Sequence, residues 1–319
     1  MELVKLAYEE KELKRYCANG NILGLIDYLK TFEDQQPLLE RYQKVFIDTP
    51  STFEYPTDNV YLKQVLEGYY LYYVYVFAKL HTPKEGEAYL LNHFQEKFKL
   101  PLIKSLNLME KWIKFKVNTE GYEFLGGTTS AYYGPYIWKT SEKRLYHVLI
   151  PAKTIRVPVF FMKDFISNSW LSFLSFGKTG TGGWTKRKGL FCKWDSYESS
   201  LDLPSFQISF LKHEAQHLYD FHRYGHKLSQ SVLEYRAKLC ELSYYPTSDL
   251  LEQFINTAKD DSNFAHSQAE FWVVSDLSKA LFDEAYVTDR ENWQSVYLKV
   301  AQIAKTLLLN NHRLKTKKS

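Results

Sequence analysis

The chain has 319 residues and a mass of 37.7 kDa, long enough to bury a sizeable core without disulfide or metal staples. Hydrophobic residues at 45% and charged residues at 24%, with only 14 Gly and 10 Pro, exclude collagen-like and Pro/Gly-rich disordered chains. A net charge of +4 spread along the chain excludes a broad nucleic-acid footprint, and the one excess, 17% aromatic residues with 25 Tyr, points to packing mass rather than to a cofactor.

In chain order, the first ten residues lack a basic segment followed by a long apolar one, which argues against a secretory signal. From 1 to about 118 apolar residues recur at helical spacing, as in Leu62, Val65, Leu66, Tyr69, Tyr70, Tyr73 and Val76, with prolines in the gaps, so this stretch reads as an all-helical N-terminal region. The most lipid-like segment, Val65–Leu80, carries Glu67 and Lys79 and is too short to cross a bilayer; it reads as a buried, tyrosine-rich helix, and no membrane partner is expected. Between about 119 and 200 short β-type runs, such as 146–150, 155–161 and 189–194, alternate with glycine-rich turns and predict a small, mostly antiparallel sheet. From 204 onward helical segments are expected at about 205–224, 229–245, 248–258, 265–285 and 290–310. Cys17, Cys192 and Cys240 form no CxxC and no disulfide framework, which fits a reducing, cytoplasmic setting. The basic run His312–Lys318 reads as a solvated end rather than a nucleic-acid site.

The chemistry concentrates in His213-Glu214-Ala215-Gln216-His217, an H-E-x-x-H inside a helical pattern. Residues four apart share one helix face, so His213 and His217 can aim imidazole nitrogens at a single metal ion, with Glu214 beside them as proton acceptor for a metal-activated water. Leu211, Ala215 and Leu218 supply the apolar stripe that packs the same helix. A third ligand is expected from the next helix: Glu234 is the first choice, although Ser231-x-x-Glu234 also spells a capping box, and Glu241 is the reserve, with a supporting role the more natural one. Asp220 is expected to support the site or the helix rather than bind metal. Tyr224, Tyr235, Arg236, Tyr244 and Tyr245 are the nearby donors from which an oxyanion stabiliser could come.

H-E-x-x-H on one helix with a downstream Glu on the next resembles the gluzincin branch of zinc metallopeptidases, over roughly residues 120–245 and most specifically at His213, Glu214, His217 and Glu234. The resemblance implies an α+β fold: a helical N-terminal domain (1–118) and a zincin-like catalytic domain (119–319), with the sheet at 119–200 and a C-terminal helical bundle at 204–319. It implies one zinc ion per chain held by His213, His217 and Glu234, Glu214 as general base, and an edge strand binding an extended peptide or protein substrate. Two departures stand out: the gap from His217 to Glu234 is shorter than in thermolysin-like enzymes, and Lys238 replaces the Asp expected four residues after the ligand Glu. Metzincins fit poorly, because Asp220 and Arg223 stand where their pattern needs Gly and a metal ligand, and His222 and His226 are off register.

Gly177–Gly189 is rich in glycine but lacks the P-loop spacing, so it is expected to be a turn leading into strand Leu190–Trp194, the candidate substrate-lining edge. Leu125–Pro135 is expected to be a turn within the sheet. The rival reading is a non-catalytic binding protein that retains a vestigial zinc site.

Overall fold

The computed structural model describes residues 8–48, 53–129, 131–245, 247–262, 264–310 and 313–314. The fold is mixed α/β with a curled, mixed sheet. Packing divides the chain differently from its sequence texture: one compact unit comprises 1–140 with 162–181, the other 141–161 with 182–319.

The first unit opens with six helices, α1 (Glu10–Ala18), α2 (Ile22–Leu29), α3 (Gln36–Phe46), α4 (Val60–Phe77), α5 (Pro83–Phe98) and α6 (Leu106–Thr119). Asn21, Asn59, Thr82 and Ser105 accept hydrogen bonds from the otherwise unpaired first-turn N–H groups of α2, α4, α5 and α6, and Thr82 and Glu85 close a reciprocal capping box. Helix α4 is buried on nearly every side by Leu62, Val65, Leu66, Tyr69, Tyr72, Tyr73 and Phe77. Helix α5 packs close to it because two glycines remove side-chain bulk: a Cβ on Gly68 would lie 2.5 Å from the Phe94 ring, and one on Gly86 2.4 Å from Val76. The Tyr69 hydroxyl donates to buried Glu110 at 2.7 Å, and burial pushes that carboxyl above its ordinary range.

Six strands and a helix follow in chain order: β1 (Glu123–Leu125), β2 (Thr128–Thr129), β3 (Tyr132–Tyr133), β4 (Tyr136–Ile150), β5 (Lys153–Asn168), α7 (Ser169–Leu174) and β6 (Gly183–Lys186). The Leu125–Pro135 stretch differs from expectation, since β2 and β3 form a two-stranded ladder of their own rather than a turn of the main sheet.

With β7 (Gly189–Lys193), the main sheet has the order β1-β4-β5-β7-β6, and β6 pairs antiparallel with β7 from Gly183 opposite Cys192 to Lys186 opposite Gly189. Two sequence expectations are corrected here. The glycine-rich stretch contains strand β6, and the edge is therefore β6, with Leu190–Lys193 inside the sheet. Gly183 makes this possible: a Cβ there would meet the Phe191 carbonyl at 2.3 Å and the Phe210 ring at 2.5 Å, so only glycine lets the strand lie so close.

The second unit ends in helices: α8 (Pro204–Gln207), α9 (Leu211–Tyr224), α10 (Gln230–Tyr244), α11 (Ser248–Thr257), α12 (Ala265–Phe282) and α13 (Arg290–Leu309). The single helix expected at 205–224 is broken at residues 208–210, with the Phe206 and Phe210 rings stacked at 5.6 Å across the break. Every residue of α10 from Val232 to Leu242 is buried, and α9, α12 and α13 pack around it. Of the basic tail, Arg313 is pinned by Asp276, to which it donates twice at 2.6 Å, rather than solvated; His312 and Lys315–Lys318 lie outside the described residues. Among the described residues no helix is long and apolar enough to cross a membrane.

Candidate metal centre

Helix α9 carries the H-E-x-x-H motif and stops at Gly225, whose φ of 62° reverses the chain with no side chain to strain. The next helix is capped two residues earlier than the sequence suggested. Ser229, not Ser231, caps α10 by accepting from Val232 N–H, so Glu234 is released from a capping box and its side chain turns inward, 3% exposed. The α10 face then sets Glu234 against His213 and His217.

These three side chains bring one donor atom each within 4.8 Å of one another. His213 Nε2 lies 3.1 Å from His217 Nε2 and 3.3 Å from Glu234 Oε2, and His217 Nε2 lies 3.5 Å from Glu234 Oε1. A tetrahedral zinc with bonds of roughly 2.0–2.1 Å separates its donors by about 3.3–3.4 Å. These distances lie within about 0.3 Å of that figure, the two from the histidines reaching different oxygens of Glu234. Two further features fit a cation: Glu234 Oε2 is buried yet accepts no hydrogen bond, and the two Nε2 atoms face one another, an arrangement that only a shared proton or a metal ion relieves.

Glu241, two turns along α10, holds His213 Nδ1 at 2.5 Å. That bond fixes the ring and leaves Nε2 as the outward lone pair, the usual support of a metal-bound histidine. It supplies the orienting carboxylate that the Lys238 position lacks. Burial alone would draw the His213 pKa down, but Glu241 and Glu234 outweigh it and push it up to about 10. Glu234 in turn, despite a burial penalty, is held well below the usual carboxylate range by the two histidines. Two carboxylates thus converge on two imidazoles, an arrangement that favours a cation, whether proton or metal, held between them.

Other buried ions nearby are accounted for. Arg236 clamps Asp220 through bonds of 2.8 and 3.0 Å, and Lys238 meets Glu270 at 2.8 Å. Asp220 therefore supports the α9–α10 packing. Of the oxyanion candidates, Tyr235 donates to Asp276 at 2.7 Å, Arg236 is spent on Asp220, and Tyr244 lies under the Lys212 ammonium at 3.9 Å.

Glu214 is half-buried, and Thr185 of β6 donates to its Oε2 at 2.6 Å while also reaching the Glu214 carbonyl at 3.0 Å. One carboxylate oxygen is fixed and the other remains for proton transfer. Sequence reasoning missed three participants. Thr185 lay in a stretch read as a turn; Gln230 donates to Glu234 Oε1 at 2.8 Å from one turn earlier in α10; and His266, near the start of α12, places Nδ1 3.1 Å from Glu234 Oε2 with 68% of its side chain exposed. Gln230 could have been found from its i, i+4 spacing to Glu234. His266, 32 residues on, gave no local signal.

Compared with known protein families, curated proteins and solved structures, the chain matches none of them.

Proposed function

We propose that the chain is a zinc-dependent metallopeptidase of gluzincin type, with a zincin-like catalytic domain that hydrolyses peptide bonds. The observation that carries this reading is the convergence of His213, His217 and Glu234 at zinc-like spacing beside a tethered Glu214. Three protein donors leave a fourth position open, the pattern of catalytic rather than structural zinc. The ion, when bound, supplies Lewis acidity that brings a water's pKa toward neutrality. Everything else falls to the chain. Glu241 orients His213, Gln230 holds the Glu234 carboxylate with His266 beside it, and Glu214, with Oε2 fixed by Thr185, takes the water proton on its other oxygen and passes it to the leaving amine. Three unpaired, buried cysteines support a cytoplasmic setting.

The test is elemental analysis of protein purified without added metal, followed by a peptide-library screen. Wild type and Glu214→Gln should each hold one zinc per chain, and Glu234→Ala should lose most of it. Glu214→Gln should lower hydrolysis by about 10²–10⁴-fold, the usual share of a general base. Absence of metal after zinc reconstitution sinks the reading. Stoichiometric zinc without turnover of any peptide favours a binding protein with a retained site.

A further inference from the structure

The second unit has a cationic collar that the metal cluster does not use. A surface cavity of about 280 Å³ is lined by Lys153, Arg156, His222 and Arg223 around Leu218 and Tyr219. Lys153 and Arg223 flank the Tyr219 ring at 5.6 and 5.8 Å from its centre, and Arg223 donates to the Tyr219 hydroxyl at 2.5 Å. His222 Nε2 donates to the Arg187 carbonyl at 3.2 Å, which ties the cavity to the β6–β7 turn Lys186-Arg187-Lys188. No carboxylate lines the cavity, and none pairs with Lys153, Arg156, Arg223 or the three turn cations among the described residues. Like charges gathered without counter-ions in a concave site create a field that favours an anion.

The collar's position says which anion. Three contacts run β6 and the turn after it along α9: Gly183 under Phe210 at the start of the helix, Thr185 on Glu214, and Arg187 of the turn on His222 in its last turn. Tyr219 and His222 sit on the face of α9 turned away from His213 and His217, so the turn bridges the two faces. β6 ends the sheet order, and a strand edge pairs with a polypeptide backbone. A peptide laid on β6 passes the tether of Glu214 and, at about 3.3 Å per residue, reaches the basic turn within a few residues.

We propose that this collar is a subsite for acidic side chains of a polypeptide substrate, which makes acidic segments on one side of the cut the preferred substrate class. The proposal rests on the peptidase reading above. A cavity of this size admits one or two carboxylate side chains, and its neighbour is a strand edge rather than a long groove; both favour a peptide over a nucleic acid. Two simpler roles would also place cations here: Arg223 complements the C-terminal end of α9, and Lys188 lies over the Phe160 and Phe191 rings at 5.3 and 5.0 Å. Neither predicts substrate choice.

The experiment uses the zinc-loaded full chain and a fluorogenic peptide library in which each position carries Glu, Gln or Lys in turn. Glu should be preferred over Gln by roughly tenfold at positions on one side of the cut, and the preference should shrink as salt rises. It should vanish in Lys186→Ser/Arg187→Ser/Lys188→Ser and fall in Arg156→Ser/Arg223→Ser, with zinc content as the check on folding. Equal cleavage of Glu and Gln peptides, or a preference that survives both variants, overturns the proposal. A second arm separates this failure from that of the peptidase reading: anisotropy of a labelled Glu-rich peptide with the Glu214→Gln chain. Binding that the collar variants abolish upholds the subsite even where no peptide is cut, and absence of binding overturns it. So does tighter binding of duplex DNA, or of phosphatidylserine vesicles, than of the acidic peptide.

Discussion

Each unit is built around one helix buried on nearly every side, α4 in the first and α10 in the second, and the two solve burial in opposite ways. α4 fills its surroundings with aliphatic and tyrosine side chains, and it meets buried Glu110 through the neutral hydroxyl of Tyr69. α10 buries Glu234, Arg236, Lys238 and Glu241 at 3, 3, 6 and 5% exposure. Burying an unpaired charge costs several kcal/mol, so each of these needs a partner. Arg236 and Lys238 have one carboxylate each. Glu234 and Glu241 instead converge on the same histidine, and that imbalance separates ions that support the helix from ions that ask for a metal.

The largest effect should come from breaking a balanced pair. Arg236→Met leaves Asp220, fully buried, without its guanidinium and should destabilise the second unit by about 3–5 kcal/mol. The double change Asp220→Asn/Arg236→Met should recover most of that loss, because the uncompensated charge is gone. Urea unfolding of the three proteins reads both numbers. A single-variant cost under about 1 kcal/mol would mean that the pair is not buried as described, and the contrast with α4 would collapse.

A smaller effect separates the unbalanced ions from the balanced ones. Glu241→Gln keeps the shape of the side chain but weakens its hold on His213, and metal affinity should fall by about 10–100-fold. Glu270→Gln, which disturbs the Lys238 pair, should leave metal affinity near wild type. Competition with a chromophoric chelator measures both. Equal losses in the two variants would show that affinity follows general stability rather than the orientation of His213.

How much of this was legible in the sequence follows from range. Periodicity showed α4 and α9–α13 because helix faces are local, and the five-residue motif placed His213, Glu214 and His217 on one face for the same reason. Glu234 was visible one helix on, but its role was blurred by Ser231, since only the structure shows that Ser229 does the capping. Strand β6 was hidden because its glycines, which read as turn residues, are there to let it lie against Phe210. The tether from Thr185 to Glu214 and the approach of His266 to Glu234 join residues about 30 apart across separate elements, and no local pattern encodes such pairs.

The smallest effect tests α4's side of the comparison. Burial raises the Glu110 pKa above the 4.5 of an ordinary Glu, while the Tyr69 hydroxyl and the Gly127 N–H pull it partly back. The folded state therefore holds that proton more tightly than the unfolded chain. Its contribution to stability is fully present below about 4.5 and is lost as pH rises through the higher native value. Glu110→Gln removes the titration and keeps an oxygen for Tyr69, though its amide meets the Gly127 N–H less well. The stability difference between variant and wild type should consequently shift in the variant's favour from pH 4 to pH 7, whatever its sign at pH 4. Urea midpoints at four pH values trace that shift. A flat difference would mean that Glu110 is ionised at no cost, and the first unit would then tolerate buried charge as the second does.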